Sequence, residues 1–174
     1  MSQQPDDVDG AARVMKRWFR GLIAPHVSFD VTHDGTPDGA QRVAGALTDL
    51  LRSRFRFGGF MRTPTPAFWT AKFSVGDKAF VLMLTRIRSK QDRVVLVIGP
   101  LSSRSLWQTL RGCRRINSTS ELKSICGEIH HLLADRLGIN GIVWYLQGPG
   151  YQSAAYNAPE DLPWNMVDDA PPTT

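Results

Sequence analysis

Apolar positions recur along this chain with two periods, one near 3.6 residues and one of two, and the switches between them mark its elements. Behind Asp9, the residues Val14, Met15, Trp18, Leu22 and Ile23 fall at helical spacing. They predict a helix over about residues 10–24, capped by Asp9 and ended by Pro25. Val27, Phe29 and Val31 then alternate with Ser28, Asp30 and Thr32, the pattern of a half-buried strand. His33-Asp34-Gly35 reads as a turn, and Thr36 with Pro37 as the cap and first residue of a second helix. That helix lines up Val43, Ala44, Leu47, Leu50 and Leu51 on one stripe.

From Ala67 the period changes to two. Ala67, Trp69, Ala71, Phe73 and Val75 face one way, and Phe68, Thr70, Lys72 and Ser74 the other. Gly76-Asp77 is a two-residue hairpin turn, with glycine where a positive φ is required. The turn sets Val75 opposite Lys78, Phe73 opposite Phe80, Ala71 opposite Leu82 and Trp69 opposite Leu84, so both apolar faces coincide. Val94–Ile98 is apolar throughout and reads as a central strand. A fourth strand is expected ahead of this meander, from Phe55 to Arg62.

Gly99-Pro100 breaks the sheet, and Ser102 or Ser103 caps a short helix holding Leu106, Trp107 and Leu110. Ser118-Thr119-Ser120-Glu121 fits a capping box. The helix behind it carries Leu122, Ile125, Ile129, Leu132 and Leu133, with Gly138 as its C-terminal cap, and Ile142–Leu146 returns as a strand. So few alternating βα units cannot build a doubly wound parallel sheet. The order predicts an α+β fold: a mixed or mainly antiparallel sheet, a three- to four-stranded meander plus one or two further strands, with helices packed mainly on one face. In this order of helix, meander and further helices, the middle of the chain resembles the small α+β chaperones of specialised secretion systems. The likeness is architectural, and it implies a role in docking proteins.

Composition sets the class. The 174 residues are 42% hydrophobic and 21% charged, enough to bury one core. No apolar run approaches the roughly 18–20 residues of a membrane span. Asp6, Asp7 and Asp9 without a base argue against a signal or transit peptide, and two cysteines cannot make a disulfide scaffold, so a cytoplasmic location is expected. Residues 1–8 read as a disordered acidic end and 9–147 as one domain. Residues 148–174 read as a Pro-rich acidic segment, laid along the domain by Tyr151, Tyr156, Leu162 and Trp164 and free at its end. Seven of the 16 acids lie in residues 1–10 and 150–174, so residues 11–149 hold nine acids against all 21 bases, a net +12. Sixteen of the bases are arginine, the side chain suited to bidentate contact with carboxylate or phosphate.

Several clusters carry candidate chemistry. Cys126 and His130 stand four apart on one helix and, with Cys113 and His131, raise a zinc site, although their spacing fits no finger or ribbon. A buried core cysteine flanked by a histidine is the simpler account. His26, Asp30, His33 and Asp34 raise acid–base chemistry, yet His26 and Asp30 would sit about 13 Å apart on one strand face. Ser102, Ser103 and Arg104 follow a buried strand and open a helix, the setting of an anion site or of an ordinary serine cap. Arg54 and Arg56, with Arg52 before and Arg62 beyond, and Arg86 and Arg88, with Lys90 and Arg93, would suit nucleic acid if they met on one face. Otherwise they are solvated edge charges. The first helix, basic on one side and apolar on the other, would suit an anionic membrane, its own sheet or a second copy.

No nucleophile stands with its base, so no catalytic residue and no cofactor or metal is expected. The leading expectation is a non-enzymatic domain docking a protein partner with an acidic or apolar surface, as an adaptor, a chaperone-like module or an inhibitor. Trp18, Trp107 and Trp164 are its candidate anchors, and a homodimer is compatible with it. The alternatives are nucleic-acid binding through Arg54, Arg56, Arg86 and Arg88, or a small hydrolase or transferase with a His/Asp or Cys/His site.

Overall fold

The computed structural model describes residues 23–31, 39–57, 61–62, 68–86, 93–100, 118–148 and 150–168. They form an antiparallel sheet with helices on one face, the α+β arrangement expected from the sequence. Its elements are β1 (Ala24–Asp30), α1 (Gly39–Arg54), β2 (Arg56–Phe57), β3 (Met61–Arg62), β4 (Phe68–Val75), β5 (Lys78–Arg86) and β6 (Arg93–Pro100). Then come α2 (Thr119–His131), β7 (Val143–Gly148), β8 (Tyr151–Gln152) and the short α3 (Asn165–Asp168). Spatially the strands run β2-β4-β5-β6-β1-β7-β8, with β3 also paired to β4.

The β4–β5 hairpin has the register dictated by its turn. Val75 faces Lys78, Phe73 faces Phe80, Ala71 faces Leu82 and Trp69 faces Leu84, with Gly76 at φ 61°. Phe73 and Phe80 stack with centroids 5.5 Å apart, a cross-strand pair that itself favours this register. Within the expected fourth strand the described residues form β2 and β3, both paired to β4. Strand β6 lies between β5 and β1. Val94, Leu96 and Ile98 join the main core while Val95 and Val97 are buried on the opposite face, which accounts for its unbroken apolar run.

Val43, Ala44, Leu47, Leu50 and Leu51 of α1 and Leu122, Ile125, Ile129, Leu132 and Leu133 of the α2 region close over Val27, Phe29, Leu82, Leu84 and Leu96. Each Val, Leu, Ile or Phe among them contributes about 1.5–3 kcal/mol by leaving water. Two local expectations need correction. Ala24, expected at the end of the first helix, instead opens β1 with Pro25, opposite Gln147 and Leu146 of β7, while residues 10–22 of that expected helix lie outside the described residues. Ser118 makes no side-chain cap bond, and the Glu121 carboxylate, rather than turning back to the Ser118 N–H, takes Lys78 of β5, with Nζ to Oε1 at 2.6 Å. Beyond α2 the chain widens into one π turn, with Leu137 N–H donating to Leu132 O. Gly138 at φ 60° then lets Ile139 N–H reach Leu133 O at 2.9 Å.

Residues 150–168 run back along the domain. Trp144 and Tyr156 exchange both backbone hydrogen bonds, and Ser153 Oγ accepts Leu146 N–H. Leu162 and Trp164 then enter the core. No helix among the described residues is long and apolar enough to cross a membrane.

Candidate functional site

The predicted site residues that are described do not gather in one place. Arg54 ends α1, where a cation complements the helix dipole, and its Nη1 meets Glu128 Oε1 of α2 at 3.2 Å. Arg56 is exposed in β2 opposite Ser74, which faces Ala79 near the start of β5. Arg86 closes β5 seven residues beyond Ala79, opposite Val94. The register therefore separates Arg56 from Arg86 by about 23 Å along the strands. Trp164 presents no ring to solvent: it is 6% exposed, its indole N–H donates to Pro159 O, and Lys123 Nζ sits 5.6 Å above it. Trp18, Arg88, Ser102, Ser103, Arg104 and Trp107 lie outside the described residues, as do His33, Asp34 and Cys113.

Cys126 is free and fully buried, and burial pushes its thiol well up, with Glu160 adding to the effect. His130 receives the indole N–H of Trp144 at Nδ1. Among the described residues no three His, Cys, Asp or Glu side chains converge as metal ligands do.

A different set does converge, on the sheet face away from α1 and α2. His26, Ser28 and Asp30 alternate along β1 on that face, with β6 and β7 as neighbours. Tyr145 of β7 lies opposite His26, and the two rings stack with centroids 5.3 Å apart and planes 25° from parallel. The His26 Nδ1–H donates to Ala24 O at 2.9 Å, which leaves the lone pair on Nε2. Burial holds this imidazole down at about 4, against the smaller opposing effect of the Ala24 bond. It is neutral at pH 7. Arg93 enters from β6: Nη2 donates to Ser28 Oγ at 3.0 Å, and Nε stands 4.0 Å from Asp30 Oδ1. Burial raises the Tyr145 phenol, with Arg93 close enough to oppose the shift. Asp30 Oδ2 also stands 2.8 Å from where a Cβ on Gly141 would lie.

His26 therefore meets a tyrosine rather than a carboxylate, and Asp30 meets an arginine. Sequence reasoning named His26 and Asp30 but missed Tyr145. Its position between Trp144 and Leu146 marks a strand, yet nothing local says that this strand pairs with β1. Compared with protein-family models, curated proteins and solved structures, the chain matches none.

Proposed function

We propose that this protein is a non-enzymatic protein-binding domain of the cytosol, an adaptor, chaperone-like or inhibitor-like module that docks an acidic partner surface. The observation that carries the reading is the corner where α1 passes into β2. Arg52, Arg54 and Arg56 are exposed there within five residues, and of the three only Arg54 has a carboxylate partner among the described residues. Each guanidinium takes a carboxylate through two parallel bonds. The net +12 of residues 11–149 would steer an acidic partner from a distance.

The test is capture from native cytosol at about 150 mM salt, with and without nuclease, using the natural chain and an Arg52→Gln/Arg54→Gln/Arg56→Gln variant. A stoichiometric protein that survives nuclease and is lost with the variant supports the proposal. Recovery of nucleic acid alone, or loss of all protein on nuclease treatment, replaces it with the nucleic-acid reading.

A further inference from the structure

We infer a second site, independent of that corner: the row formed by Asp30, Arg93, Ser28, Tyr145 and His26 binds a small carboxylic acid that carries a hydroxyl or amide N–H of its own. The row runs from an exposed end, its mouth, to a buried end, its floor. Side-chain exposure is 55% at Asp30 and 25% at Arg93, and Ser28 and His26 are each only 6% exposed.

Its polar groups are incompletely matched, and the mismatch has a pattern. Arg93 uses Nη2 on Ser28 and holds Asp30 only at the limit of an ion pair, and Nη1 has no partner among the described residues. The Tyr145 hydroxyl and the Ser28 hydroxyl proton have no acceptor there either. At the floor the lack is reversed. His26 has committed Nδ1–H to Ala24, so the ring aims Nε2 away from Ala24 as an acceptor without a donor. Of these groups His26 and Ser28 are the buried ones, and buried polar groups are seldom left so, because each unmade bond is costly.

Spare donors at one end and a spare acceptor at the other describe the ligand by complement. Its carboxylate lies on Arg93, the Tyr145 hydroxyl and Ser28, and its own donor reaches His26 Nε2. His26 and Ser28 are two residues apart on β1, about 6.6 Å, which limits the ligand to a small molecule. Asp30 at the mouth admits one negative charge and disfavours a second.

The experiment is an NMR titration of the full-length 15N-labelled chain at pH 7. Glycolate and N-acetylglycine carry both groups, acetate lacks the donor, and N-acetylglycinamide lacks the carboxylate. The two complete probes should bind saturably, about fivefold more tightly than acetate, and shift the His26 Nε2 resonance. Arg93→Gln should weaken them about tenfold. Tyr145→Phe keeps the stacked ring and should weaken them about threefold with the remaining spectrum unchanged, which separates loss of a donor from loss of fold. Acetate binding as tightly as glycolate with Nε2 unmoved would mean that only an ordered water satisfies His26, and would overturn the inference. So would unchanged binding by Arg93→Gln, or no saturable binding of either complete probe.

Discussion

The indole N–H of Trp144 donates to Nδ1 of His130 across 3.0 Å, joining β7 to α2. The bond gives the neutral His130 ring its proton at Nε2 and commits the nitrogen on the Trp144 side. Trp144 is fully buried, so its N–H has no water to turn to. Replacing it with phenylalanine removes the donor and part of the ring volume. Trp144→Phe should cost about 2–3 kcal/mol, read as a lower urea midpoint with an unchanged slope. A loss below about 0.5 kcal/mol would show that the bond contributes nothing to stability.

His26 makes stability depend on acid. Its folded-state value of about 4 lies below the ordinary 6.5, so between these limits the unfolded chain binds the extra proton. Stability should therefore rise with pH through that window, and fall by up to about 3 kcal/mol as pH drops from 7 to below 4. His26→Gln should remove that part of the pH dependence. Urea melts at half-unit pH steps compare the two chains, and an identical slope in both would refute the assignment to His26.

Gly141 is held at φ 68°, and a Cβ there would stand 2.8 Å from Asp30 Oδ2. Gly141→Ala combines a left-handed backbone with a contact that must turn aside the carboxylate of the half-exposed Asp30, and should cost about 1–2 kcal/mol. Gly76 has a similar φ of 61° but open space around it, so Gly76→Ala should cost only the backbone part, about 1 kcal/mol. Adding Asp30→Ala to Gly141→Ala should return the difference, a coupling that a double-mutant cycle reads directly. Strict additivity would mean that Asp30 moves aside freely.

Lys78 and Glu121 tie the start of β5 to the first turn of α2. The lysine beside it, more than the helix backbone or Ser120, holds the Glu121 carboxyl below its usual range. A carboxylate depressed in this way adds stability above its unfolded pKa, and that stability is lost as pH falls through the folded one. Glu121→Gln should lower Tm at pH 7 and have a smaller effect at pH 3. Combined with Lys78→Met it should be less than additive. Equal shifts at both pH values would assign the effect to packing instead of charge.

The elements legible in the residues are those whose partners are close in the chain. The Gly76-Asp77 turn brings its two strands into register within a few residues, and alternation of Phe73 with Ser74 and Phe80 with Ala79 leaves only one pairing with both apolar faces aligned. The stripes Val43–Leu51 and Leu122–Leu133 likewise need only the helical period to show which side is buried. For the candidate site less was legible. Arginines in one stretch of sequence suggest one surface, but antiparallel register carries Arg56 and Arg86 to opposite ends of β5.

What the residues alone determined is therefore local: which segments are helix or strand and which of their faces are apolar. Only the tertiary structure decided that β1 inserts between β6 and β7, and every feature of the His26 row follows from that. Period-two alternation identifies a strand's faces but not its neighbours, because any apolar-faced strand can pair with any other until all of them pack at once. The same reason explains Glu121. A capping box is the best bond within four residues, yet Lys78, 43 residues earlier, offered a charge once α2 had settled on the sheet.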